Sequence, residues 1–434
     1  MLLRQKANRM SRAATVGGAF AAALICTNAA VVGAQTAAAV NGFAPDRLAR
    51  IDRVLKEYVD SNRIGGAVGL VMKDGKVVYE RAVGWADKEA GRRMTANAMF
   101  RIASQSKAIT STAVLMLVEE GRLNLSDPVS RWLPSFAKTT VAVRTDSITR
   151  FVPAARQITI RDLLTHTAGI SYGTEPQLAT LYSAKGLGPT AGYGWYTADK
   201  SEPICESMDR LGTLPFAAQP GKAWVYGYNT DILGCVIERV SGMPLDEFIR
   251  TRITAPLGMN DTYFFVPPSK RDRLVAVYLS DSTNHAVRAP NGSRGQGDYV
   301  DGPRRSFAGG AGIVSTARGY AAFLEMIRAS GRSRSTQYLS PKTIDLMTHN
   351  QVGTLHSTTG LGFGLGFETT DIVGANGLAS VGTFGWGGAY ASVYKVDPKE
   401  GLVIVLMLNQ LPNATDLRDK FPVMVYQALV EPKR

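Results

Sequence analysis

A chain of 434 residues with 45% hydrophobic content can bury a full globular core, which excludes a disordered or low-complexity protein. The net charge of +13 raises the question of a polyanionic partner, but Arg4, Lys6, Arg9 and Arg12 all precede the first acidic residue, Asp46. The remaining excess is spread thinly, so no nucleic-acid partner is implied.

In chain order, the basic start leads into a small-apolar run, residues 13–30, and then Val32-Gly33-Ala34 before Gln35, the small-residue form of a cleavage site. Residues 1–34 therefore read as a secretory signal peptide, and the mature chain as periplasmic or secreted. No other segment has 18 uninterrupted apolar residues, so no stable membrane insertion is expected after cleavage. Beyond Cys26 only Cys205 and Cys235 remain, compatible with one disulfide or with two buried thiols. The apolar helical stretch around Cys235 favours buried thiols.

Apolar residues at Leu48, Ile51, Val54, Leu55 and Val59 predict a helix over 46–62. A hairpin follows, with strands over 66–72 and 76–83 and the tight turn Lys73-Asp74-Gly75 between them. Residues 100–123 read as a loop entering a helix whose middle, 113–118, is apolar on every face and hence buried. From 128 to 303 helical segments at 159–164, 205–211, 231–240 and 245–253 are joined by long loops, with no clear strand ladder. Strands return at 380–384, 390–396 and 402–408, before a closing helix around 424–430. This order predicts an α/β domain built from both chain ends, 46–127 and 304–434, and a mostly helical domain over 128–303.

The chemical signal is Ser104-Gln105-Ser106-Lys107, an S-x-x-K pattern entering the buried helix. Residues three apart share a helix face, so the Lys107 amine can reach the Ser104 hydroxyl, a weak nucleophile that needs a base. Free backbone N–H groups at the helix start suit a developing oxyanion. The rival Gly169-Ile170-Ser171-Tyr172-Gly173 satisfies G-x-S-x-G, but lacks the strand before and helix after that such an elbow needs. None of His285, His349 and His356 has a recognisable catalytic context, and His166 reads as a hydrogen-bonded structural residue. No H-E-x-x-H, C-x-x-C or acidic metal cluster occurs, so neither metal nor cofactor is expected.

The stretch FRIASQSKAITSTAVLMLVEEGRLNLSDPV resembles the serine β-lactamase and penicillin-binding-protein superfamily, specifically class C β-lactamases and family VIII carboxylesterases. ITIRDLLTHTAGI, WVYGYNTDILGCVIERVSG, PLGMNDTYF, GGAGIVSTARGY and FGWGGAYASVYKVDPKEGLVIVLMLNQ extend the likeness, in order, from about residue 46 to the end. The resemblance implies an α+β, β-lactamase/transpeptidase-like fold, an antiparallel sheet flanked by helices plus a mostly helical inserted domain. It implies Ser104 as nucleophile, with Lys107 and Tyr226 sharing the base role.

By the same resemblance, Tyr228 stands where β-lactamases place a substrate-holding Asn, with Asn229 next door as a partial substitute. Trp386-Gly387-Gly388 replaces K-T-G on an edge strand, and the N–H groups of Ser104 and Ala389 form the oxyanion hole. An indole in place of a cation suits the apolar part of a small neutral ester. The implied activity is serine carboxylesterase on short-chain esters. A β-lactamase or D-amino-acid peptide hydrolase, a transacylase, and a sensor that acylates without turnover are the alternatives.

Overall fold

The first helix, α1 (Pro45–Asp60), starts with a proline, where a missing N–H costs nothing, and buries Ile51, Leu55 and Tyr58 along one face. The computed structural model describes residues 39, 41–145, 148–189, 195–412 and 414–431, so the signal-peptide segment lies outside the described residues.

The hairpin follows as β1 (Gly66–Lys73) and β2 (Lys76–Asp87), turned at Asp74 and Gly75 with φ of 49° and 76°, the left-handed pair that matches strand twist. Numbering only the strands of the main sheet, β3 (Arg92–Arg93), β4 (Leu361–Phe363), β5 (Glu368–Thr370), β6 (Phe384–Gly387), β7 (Val393–Asp397) and β8 (Leu402–Met407) complete it. The eight strands run β4-β5-β6-β7-β8-β1-β2-β3, antiparallel throughout. The seam between the two chain ends is β1 against β8, from Val68 opposite Met407 to Lys73 opposite Leu402.

Every residue of β8 is buried, because both sheet faces are covered. Val403, Val405 and Met407 point into the core shared with α2 (Ser106–Glu119), α3 (Asn229–Ser241) and α4 (Ala317–Arg328). Leu402, Ile404 and Leu406 point the other way, onto α1 and α5 (Leu417–Ala428). The period of two is hidden in a continuous apolar run.

Four expectations change. The middle of the chain does contain ladders, Thr140–Thr145 with Ile148–Pro153 and Tyr278–Ser280 with Ala286–Arg288. The first of them leaves Ile148 and Phe151 more than half exposed, so the ribbon lacks the half-buried alternation that marks a strand. The closing helix begins at Leu417 rather than 424, because it continues through Pro422, a residue that sequence patterns treat as a break. The predicted strand at 380–384 lies instead at Phe384–Gly387.

Lastly, Cys205 and Cys235 are disulfide-bonded, joining the helix Ile204–Leu211 to α3. Burial had favoured free thiols, but a disulfide is buried just as readily and burial does not distinguish them.

Candidate active site

Ser104 sits in a 3₁₀ turn, Ala103–Gln105, immediately before α2. Ala103 is held at φ 44°, a left-handed conformation that a residue with a Cβ adopts only when its surroundings enforce it. Its methyl packs with Val277, Ala289 and Tyr390, which pins the turn and presents Ser104 to a cavity of about 630 Å³.

Every residue of α2 from Ser106 to Leu117 is buried, so Lys107 is only 2% exposed. Its Nζ lies 3.3 Å from Ser104 Oγ, 3.1 Å from Tyr172 OH and 2.8 Å from Gly310 O. Those three acceptors match the three donors of an ammonium. Tyr226 meets Lys107 by its ring face, 4.7 Å from Nζ. The Tyr226 hydroxyl instead accepts a hydrogen bond from Trp386 Nε1 at 3.1 Å.

Behind Lys107 lies Asp231, completely buried, whose Oδ1 accepts from Gly310 N at 3.0 Å while Oδ2 has no partner. A Cβ on Gly310 would stand 2.6 Å from that carboxylate, so only glycine lets the peptide pass between Asp231 and Lys107. Burial raises the carboxyl to about 6, against the pull of Lys107 and the Gly310 N–H. A carboxyl raised by folding stabilises the fold when protonated: its contribution is full below the ordinary value of 3.8 and is lost as pH rises through about 6. Asp231→Asn should therefore gain stability relative to wild type on going from about pH 4 to pH 7, by on the order of 2–3 kcal/mol. A difference in thermal midpoint between the two proteins that stays constant with pH would refute this.

Trp386, Gly387, Gly388 and Ala389 line the same cavity as Ser104, Tyr172 and Tyr226. Their strand, β6, is not an outer strand of the sheet, since β4 and β5 lie beyond it. β5 pairs only with Phe384 and Gly385, however, so its register stops short of Trp386 and Gly387. A Cβ at Gly388 would stand 2.6 Å from Ile102 O, and one at Gly387 2.0 Å from Arg418 Nη2. Glycine at Gly388 therefore lets the end of β6 press against the turn that carries Ser104, and Ala389 lines the cavity with it.

Tyr228 is 2% exposed, accepts from Gly188 N at 2.9 Å and packs edge-on behind Tyr172, so it does not line the cavity. Nor does Asn229 substitute for a substrate-holding amide. Its Nδ2 faces His166 Nδ1 at 2.9 Å and the carbonyls of Ile170 and Val225 at 3.2 Å. An amide nitrogen can only donate, so His166 Nδ1 opposite it takes the acceptor role, which a neutral imidazole supplies. Burial, reinforced by the Lys107 charge, holds the His166 pKa well below its ordinary value.

Sequence reasoning missed three features. Tyr172 was passed over as the neighbour of a rejected serine, yet its hydroxyl is the phenolic oxygen to which Lys107 donates. Burial raises its pKa well above the ordinary value, so it stays neutral. Its signal was the turn itself, with Gly169 and Gly173 at φ 81° and 72°. Asp231 was overlooked. So were Lys395 and Arg418, cations that line the cavity together with Glu368 and Asp419. Trp386 occupies the cation's place in the motif, but the cavity is not without cations.

The sheet assembled from both ends, with a serine–lysine pair at the start of a buried helix, defines a β-lactamase-fold serine hydrolase. Residues 51–429 match the Beta-lactamase family model, and the chain belongs to that family. It is similar to Esterase EstB of Burkholderia gladioli, 33% identical over 371 residues covering 83% of this chain and 90% of that one. It also resembles the lovastatin esterase of Penicillium rubens, at 29% over 390 residues, 81% and 90% of the two chains. Among solved structures, EstCE1, a hydrolase with promiscuous acyltransferase activity, superposes with a TM-score of 0.74 at 28% identity, over 89% of this chain and 99% of that one.

Proposed function

We propose that the protein hydrolyses short-chain carboxylic esters through an acyl-enzyme on Ser104. The observation that carries this reading is the 3.3 Å approach of Lys107 Nζ to Ser104 Oγ inside a cavity walled by Tyr226 and Trp386. Ser104 Oγ attacks the ester carbonyl as its proton passes to the Lys107–Tyr226 pair. Backbone N–H groups of Ser104 and Ala389 receive the oxyanion. Collapse breaks the bond to the alcohol, which leaves with that proton. Water then attacks the acyl-serine, gives its proton to the same pair, and Ser104 recovers it as the acid departs.

A panel of p-nitrophenyl esters of increasing acyl length, run beside a chromogenic cephalosporin, tests the reading. Highest kcat/KM on the acetate or butyrate supports it, and faster turnover of the cephalosporin overturns it. A second reading has its own support: Lys395 and Arg418 in the cavity would suit a carboxylate-bearing β-lactam or D-amino-acid peptide. Transacylation is the same chemistry with an alcohol in place of water, and an added alcohol acceptor would reveal it.

Export is part of this proposal. The Cys205–Cys235 bond supports it, because disulfides persist in oxidising compartments. Protein recovered from an exporting host is expected to begin near Gln35, and an intact mass that retains Met1 would contradict cleavage.

A further inference from the structure

We infer that Trp386 is a positioning residue for the reaction, acting through its indole N–H on the hydroxyl of Tyr226 rather than only as an apolar wall for substrate. The inference rests on the acyl-enzyme reading above.

An indole nitrogen can only donate, so at 3.1 Å the Tyr226 oxygen is the acceptor. This is the one hydrogen bond to that hydroxyl among the described residues, and Lys107 spends its three donors on Ser104, Tyr172 and Gly310. The phenolic proton must therefore point away from Trp386. Tyr226 is also fixed laterally. Trp224 stacks on it at 5.7 Å with 16° between planes, and His166 packs against it at 4.8 Å. Trp386 is gripped in turn, edge-on to Phe363 at 5.6 Å and paired through its backbone with Tyr394.

This arrangement has an electrostatic consequence. When Tyr226 acts as base, its oxygen, where the negative charge sits, already faces the Trp386 N–H. The ammonium of Lys107 over the ring face acts in the same direction at longer range. With Lys107 keeping its three protons, Tyr226 enters the step deprotonated, takes the Ser104 proton as Oγ attacks and passes it to the leaving alcohol, so no other reactant is consumed. Trp386 touches none of these protons and works through Tyr226.

The test is to remove the N–H while keeping the ring shape. Trp386→Phe, and a variant carrying benzothienylalanine at 386, which has sulfur where tryptophan has N–H, are assayed on p-nitrophenyl butyrate over a pH series. Expected in both are a fall in kcat larger than the rise in KM, and an alkaline displacement of the acid limb of kcat/KM by about one pH unit, the size a lost hydrogen bond to an anion predicts. In a Tyr226→Phe background the same substitutions should leave kcat within about twofold, since coupled residues are not additive. An unmoved pH profile in the benzothienylalanine variant, or an equal loss with and without Tyr226, overturns the inference. Ser104→Ala, measured alongside, separates the two failures: residual activity there sinks the acyl-enzyme reading itself, whereas an inactive Ser104→Ala with a normal 386 variant sinks only the role of Trp386.

Discussion

Ser104→Ala is expected to lower kcat/KM for p-nitrophenyl butyrate by on the order of 10⁴-fold or more, to the level left by binding and oxyanion contacts alone. Ser171→Ala should retain most activity. Both serines sit in tight turns and both patterns are known from hydrolases, so the difference has to come from their surroundings. Ser104 has Lys107 at 3.3 Å and opens onto the cavity. Ser171 is 1% exposed, accepts from Gly173 N at 3.0 Å and donates to Glu175 at 2.5 Å. None of the histidines is bonded to it: His166 faces Asn229, His285 faces Thr283, His349 the Asp345 carbonyl and His356 faces Glu368. Losing the Ser171 hydroxyl costs about 1–3 kcal/mol of stability through unsatisfied buried partners, and leaves the chemistry in place. Steady-state rates on folded protein decide the matter, and an active Ser104→Ala with an inactive Ser171→Ala would reverse the assignment.

Lys107→Met and Tyr226→Phe should each reduce kcat by at least ~10²-fold, the scale of lost general-base catalysis. The two losses differ in kind. Methionine fills the space of lysine but leaves Gly310 O and Tyr172 OH without their donor and removes the positive neighbour of Asp231. Lys107→Met should therefore also lose stability, by roughly 3 kcal/mol for a broken buried charge network. Tyr226→Phe keeps the ring between Trp224 and His166 and gives up only the hydroxyl, so its midpoint of thermal unfolding should stay near wild type. A near-normal kcat in either variant removes that residue from the mechanism.

The parts of this site that were legible in the sequence are those fixed by covalent spacing. Ser104 and Lys107 share a helix face because they are three residues apart, and Asp74-Gly75 makes its turn because of its own backbone preferences. Tyr172 was illegible for the opposite reason. Nothing in Gly169-Ile170-Ser171-Tyr172-Gly173 says that the tyrosine, rather than the serine, reaches a lysine sixty-five positions earlier. Arg418 and Asp231 likewise become neighbours of the site only once α5 and α3 are packed. The strands of β8 and β1 were readable as continuous apolar runs. The Thr140–Thr145 ribbon was not, because it leaves apolar side chains in solvent. Tyr228 fell near the right motif position but on the wrong side of Tyr172, a distinction of side-chain direction that spacing does not carry.

The seam between β1 and β8 bears on how the chain is made. Lys73 finds Leu402 as its partner, and the bridge of Phe43 with Leu429 closes the two ends beside it. A ribosome releases β1 and β2 before the strand that pairs with β1, and before the α5 helix that covers it, with the whole middle of the chain made in between. Until then an apolar hairpin has neither its neighbour nor its lid, and loop closure over so long a span is slow. The β1 edge of the hairpin therefore stays open until β8 has been made, and completion of the sheet waits on the late part of the chain.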